Sequence, residues 1–156
     1  MNTIADFEDL LVLLHHYGVR YLIVGGLAFI YHAKPRFTKD MDLWIENSTE
    51  NITRTNRALA GFGSPTLLDY NNPEQVVQIG LEPNRIDLLV EVKSLRFNEV
   101  WPLRIEGKYG NAPAYWIDLD SLEKIKSAIN DPRHQEDARI LRKVRKLKAE
   151  KGSHKG

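Results

Sequence analysis

Residues 24–45 read VGGLAFIYHAKPRFTKDMDLWI, and the alternation inside this stretch decides the fold. Side chains on a strand repeat every second residue. In Asp40 to Glu46 (DMDLWIE), Met41, Leu43 and Ile45 therefore share one face, and Asp40 and Asp42 share the other. Aspartate is depleted in strands, so two on one face call for a reason. Adjacent carboxylates repel, and a divalent cation between them is the natural remedy. Mg²⁺ takes a few carboxylates together with phosphate oxygens and water. The plainer alternative is a strand whose outer face is wet. Upstream, Tyr21 to Val24 (YLIV) is a short strand, interrupted by Gly25-Gly26 before a helix over residues 27–31. A glycine pair between strand and helix lets backbone approach a phosphate, and the helix start offers free N–H groups and a positive dipole end. Arg36, Thr38 and Lys39 put positive charge and a hydroxyl just before the acid pair.

Working outward, RIDLLVEV (85–92) repeats the alternation. Ile86, Leu88, Val90 and Val92 form an apolar face, and Asp87 projects from the opposite one, with Glu91 an equal candidate by periodicity. A third carboxylate on a second strand would complete a triad around one or two metal ions. Around these strands, Phe7, Leu10, Leu11 and Leu14 mark an amphipathic helix. Ser48 caps a helix ending at Gly61-Phe-Gly63. Residues 76–81 and 86–92 are strands joined by Glu82-Pro83-Asn84, and 114–117 is another. Asp120 and Glu123 form a capping box, and helices follow to about Lys148, broken near Asn130-Asp131-Pro132. Strands and helices mix without a strict βαβ rhythm, which predicts an α+β (mixed α/β) fold: a small mixed sheet flanked by helices, with helices at the C-terminal end.

The 156 residues suit a single domain over 1–150, with 151–156 as a flexible basic tail. No cysteine is present, which excludes disulfide scaffolds, thiolate metal sites and cysteine nucleophiles. The five histidines suggest no metal site; His15 and His16 are adjacent and cannot face one another on a helix. No apolar run reaches the roughly 18 residues of a membrane helix, and the acidic N-terminus carries no signal-peptide pattern. A soluble cytoplasmic protein without membrane association is expected. The net charge of +1 hides an asymmetry: residues 139–156 carry eight Lys or Arg and one acid, while residues 1–138 are net −6.

Gly-Gly followed about a dozen residues later by Arg-x-Thr-x-Asp-hydrophobic-Asp resembles the DNA polymerase beta-like nucleotidyltransferase superfamily. Within it the chain is most similar to small AbiEii-toxin-like and minimal nucleotidyltransferase-type proteins. RIDLLVEVKSLRFNEVW (85–101) and AYWIDLDSLEKIK (114–126) extend the resemblance over about residues 20–140. It implies a nucleotidyltransferase-like fold. It also implies Asp40, Asp42 and Asp87 as catalytic metal ligands, Gly25 and Gly26 at the phosphates, and Lys126 reaching the nucleotide. The residues alone leave Lys126 equally well read as an exposed helix lysine. The family's Arg-x-x-Asp following that lysine has either Glu136 or Asp137 as counterpart.

The activity so implied is Mg²⁺- (or Mn²⁺-) dependent transfer of a nucleoside monophosphate from an NTP to an unidentified acceptor. That acceptor is a protein, an RNA or a small molecule, with a toxin–antitoxin or phage-defence setting. The alternative is a catalytically weak binding protein of the same fold, antitoxin-like or RNA-binding, using the basic segment 139–151 on phosphates. A metal-dependent nuclease would account for the acids but not for Gly25-Gly26.

Overall fold

The computed structural model of the chain describes residues 3–154, with side-chain surroundings for 5–152. One six-stranded mixed sheet organises it, in the order β3-β4-β2-β1-β6-β5. The strands are β1 Tyr21–Val24, β2 Asp40–Ile45, β3 Val76–Ile79, β4 Arg85–Leu89, β5 Ile105–Tyr109 and β6 Ala112–Trp116. At the centre, β2 runs antiparallel to β1 and parallel to β4. β3 closes one edge as a hairpin with β4, and β5 closes the other with β6. The mixed α/β architecture expected from the sequence is the one found.

The helices are α1 Thr3–His16, α2 Gly25–His32, α3 Thr49–Phe62, α4 Phe97–Val100, α5 Leu119–Ala128 and α6 Pro132–His154, with a 3₁₀ turn over Trp101–Leu103. α1 packs on α3 and against β6, while α2 sits on β1 and β2 and meets α5 and α6. The core joins both halves of the chain: Leu10, Leu11, Leu14, Tyr21, Phe29, Met41, Leu43, Trp44 and Leu59 are all within 1% of complete burial. Each such side chain contributes about 1.5–3 kcal/mol by leaving water. No helix among the described residues is long and apolar enough to cross a membrane.

Local chemistry explains most boundaries. Ser48 accepts a hydrogen bond from the Asn51 N–H at the start of α3, and Gly63, at φ 92°, ends that helix in the left-handed conformation that glycine tolerates. α3 therefore runs through Gly61. The capping box at Asp120 and Glu123 is not formed. Asp118 caps α5 by accepting from the Ser121 N–H, because the helix begins two residues earlier, at Leu119. Asp120 lies inside the helix and faces Arg145 at 3.7 Å. Asp131 accepts from the N–H groups of Arg133 and His134 and so starts α6. The strand over 76–81 ends at Ile79 and that over 86–92 at Leu89, while β5 and α4 were not expected. Residues 151–154 of the anticipated tail continue α6, and 155–156 lie outside the described residues.

The apolar stripe of α6 docks in part. Leu141 is buried, Ile140 and Val144 are half-buried, and Leu147 is exposed. Arg142 and Arg145 fold back onto Glu123 at 3.2 and 2.7 Å, so the basic segment offsets part of its charge against α5.

Candidate active site

Asp40, Asp42 and Asp87 converge on one face of the central sheet. In the parallel β2–β4 ladder, Asp40 pairs with Arg85 and Asp42 with Asp87. The four side chains thus form a two-by-two array, three acids and one base. One ligand oxygen from each of the three aspartates lies within 4.8 Å of the others. The register excludes Glu91: β4 ends at Leu89, and Glu91 is exposed beside Lys93 and Pro73.

The Gly-Gly turn closes against the same array. Val24 pairs with Asp42 across β1–β2, which sets Gly25 beside that carboxylate. Gly25 has φ 68°, and a Cβ there would overlap the Asp42 carboxylate, its carboxyl carbon only 2.9 Å away. A Cβ on Gly26 would stand 2.7 Å from Thr38 Oγ1. Gly25 is therefore required sterically as well as conformationally, and Gly26 leaves room for the Thr38 hydroxyl. The start of α2 has no side-chain cap, and the first N–H groups of a helix have no partner within it.

Arg36 and Lys39 diverge from the array. Arg36 lies over the Phe29 ring, 4.1 Å from its centroid, and donates to Asp137 Oδ1 at 2.8 Å. Lys39 is exposed and pairs with Glu82 at 3.7 Å. Lys126 is 4% exposed, which corrects its reading as an exposed helix lysine. Its ammonium donates to Asp137 Oδ2 at 3.0 Å and to His134 Nδ1 at 3.2 Å. Of the two candidates for the acid following the lysine, Asp137 makes this contact, while Glu136 pairs with Arg139 at the surface. His32 is buried and donates from Nε2 to the Ile117 carbonyl at 2.7 Å, a packing role.

Electrostatically the array is short of positive charge. Burial, followed by repulsion from Asp40 and Asp87, pushes the Asp42 carboxyl up to about 7. Asp87 is raised mainly by burial, against the pull of Arg85. Arg85 donates to Asp40 Oδ2 at 2.6 Å, whereas its Nε, 3.1 Å from Asp87 Oδ1, is misaligned. Both of those last atoms are buried and complete no hydrogen bond. An all-carboxylate donor set, an orphaned oxygen and a glycine without which Asp42 would be displaced together fit a hard divalent cation such as Mg²⁺ or Mn²⁺.

Arg85 is the site residue that sequence reasoning passed over. Its signal was present: in RID, alternation places residue 85 on the face of residue 87.

No protein-family model matches the chain, and no curated protein matches its sequence. Among solved structures, the chain is similar to the aminoglycoside nucleotidyltransferase ANT(2'')-Ia in complex with adenylyl-2''-tobramycin, with a TM-score of 0.57, 14% identity and 98% of each chain covered. The shared fold is of the nucleotidyltransferase type.

Proposed function

We propose that the protein is a metal-dependent nucleotidyltransferase, moving a nucleoside monophosphate from an NTP to an acceptor hydroxyl with release of pyrophosphate. The observation that carries this is the meeting of Asp40, Asp42 and Asp87 directly beside the Gly25-Gly26 turn. Asp40, Asp42 and Asp87 would hold Mg²⁺ or Mn²⁺, which when bound supplies charge for the triphosphate and lowers the pKa of an acceptor hydroxyl. Gly25, Gly26 and the uncapped start of α2 would receive phosphate oxygens through backbone N–H groups. Thr38, packed against Gly26, would add a hydroxyl, and Lys39 a charge at the rim. Arg36 and Lys126, both committed to Asp137, would hold the loop of residues 34–39 and α5 in place beside the nucleotide. Asp87 is suited to accept the acceptor's proton, lying between burial and the positive charge of Arg85.

The neighbour's complex with an adenylylated small molecule supports a small hydroxyl compound as acceptor, ahead of RNA or protein. The AbiEii-like motif spacing supports a toxin–antitoxin or phage-defence setting, and the protein's site of action would be the cytoplasm. The test is incubation with each α-labelled NTP, Mg²⁺ or Mn²⁺, and separate pools of small hydroxyl compounds, RNA and protein. Label should move to one pool and not with Asp42→Asn; no transfer from any NTP to any pool counts against the enzyme. A non-catalytic RNA-binding role has its own observation, the exposed Lys143, Lys146 and Lys151 on α6. It predicts salt-sensitive RNA binding that is unaffected by Asp42→Asn.

A further inference from the structure

Arg85 stands at the fourth corner of the carboxylate array. It is the ladder partner of Asp40 and lies two residues before Asp87, so its side chain shares their face. Its guanidinium contacts three acids: Asp40 at 2.6 Å, Asp87 at 3.1 Å and Glu82 at 3.3 Å. Glu82 belongs to the turn between β3 and β4 and is 45% exposed, while the Arg85 side chain is 27% exposed. The guanidinium is therefore open to solvent on one side and in contact with a second seat.

We propose that Arg85 is a resident counter-charge that competes with a divalent cation for Asp40 and Asp87, withdrawing towards Glu82 when the cation is held. This rests on the metal-dependent function proposed above. Three features argue for competition rather than joint occupancy. The fork from Nε to Nη2 spans the gap between Asp40 on β2 and Asp87 on β4, two of the carboxylates that would hold the cation. It fills that gap incompletely, since the Asp40 contact is close and the Asp87 contact is misaligned, leaving two buried atoms without a hydrogen bond. A cation has no such directional demand on the carboxylates. Finally, a guanidinium held between the same carboxylates as a divalent cation would repel it at short range, whereas Glu82 already offers Nη1 an acceptor.

Titration of the nucleotide-free protein with Mn²⁺, followed by the electron paramagnetic resonance of free Mn²⁺, tests the proposal. Arg85→Gln should bind Mn²⁺ about tenfold tighter than wild type or more, because no charge-assisted contact has to be given up. Arg85→Lys, whose ammonium cannot fork between two carboxylates, should lie between the two. Equal or weaker Mn²⁺ binding by both variants, with melting curves showing them folded, would overturn the competition and make Arg85 a residue that orients the ligands. If Arg85→Gln fails to fold, Arg85→Lys decides alone, binding no tighter than wild type being the adverse result. Absence of Mn²⁺ binding by wild type and variants alike, even with excess NTP, removes the metal-dependent reading itself and the competition with it.

Discussion

Among the described residues, the charges on the sheet and those between α5 and α6 are balanced in opposite ways. On the sheet, three aspartates share one arginine, and Asp42 is pushed up to about 7. Between α5, α6 and the loop before β2, one aspartate serves two cations. Asp137 takes Arg36 on one oxygen and Lys126 on the other, with His134 accepting from the same lysine. Burial alone would raise the Asp137 carboxyl, but its bonds to Arg36 and Lys126 outweigh burial and lower it. A cluster whose acid is held by a cation on each oxygen ties the fold together. A cluster with acids in excess is poised to take a cation from outside. Buried charges left unmatched are costly, so the two clusters should respond in opposite senses to the same kind of substitution.

The largest expected effect is on the acid-rich side. Asp42→Asn should reduce Mg²⁺-dependent nucleotidyl transfer by about 100-fold or more, beyond what supporting residues around a metal usually cost. It should leave the melting temperature at neutral pH no lower, since the ionised carboxylate is disfavoured there. Transfer within a few-fold of wild type, in a labelled-NTP assay, would break the comparison.

Asp137→Asn should do the reverse. Leaving Arg36 and the buried Lys126 without their anion should cost about 3 kcal/mol, or about 10 °C in melting temperature for a chain of this size. A calorimetric scan that matches wild type would place the ion network outside the stability of the fold. The pH dependence has a definite sign. A carboxyl whose folded pKa is lowered contributes stability above its ordinary value of 3.8 and loses it as pH falls through the folded value. The gap between wild type and Asp137→Asn in acid unfolding should therefore narrow below about pH 4.

A smaller effect is expected at the glycine turn. Gly25→Ala should cost about 1–3 kcal/mol from its positive φ and should weaken NTP binding as well, because the new methyl displaces Asp42. Unaltered NTP affinity, measured by titration calorimetry, would separate the turn from the array.

The smallest effects belong to α6. Arg142→Gln and Arg145→Gln lose half-exposed partners of Glu123 and should each cost under about 1 kcal/mol. Lys143→Gln and Lys146→Gln should leave stability unchanged in denaturant titrations. If the helix binds RNA, each lysine removed from a phosphate should lower the salt slope of that binding by about one unit.

Much of the site was legible because it is written at short range. Alternation put Asp40 opposite Met41, and a strand followed by Gly25-Gly26 announced a turn that admits no side chain. The helix caps were legible where one residue type is demanded, as at Ser48 and Gly63. They were misjudged where several acids stood close together: Asp118 rather than Asp120 begins α5. β5 was missed because its alternation, in IEGKY, is too weak to stand out from its surroundings.

By itself the sequence determined that Asp40 and Asp42 share a face, that Asp87 projects from a second strand, and that glycines stand at the turn beside them. These follow from backbone periods and from the absence of a Cβ, which depend on neighbours along the chain. Only the tertiary structure decided that β4 lies beside β2 in the register that sets Asp87 against Asp42 and Arg85 against Asp40. It likewise decided that Lys126, which the sequence left as either a nucleotide contact or an exposed helix lysine, turns inward to an aspartate eleven residues further on. Strand register and ion pairing across elements are settled by which apolar faces bury together, here Met41 and Leu43 with Ile86 and Leu88. No local pattern encodes that choice, because it is made by the whole core at once.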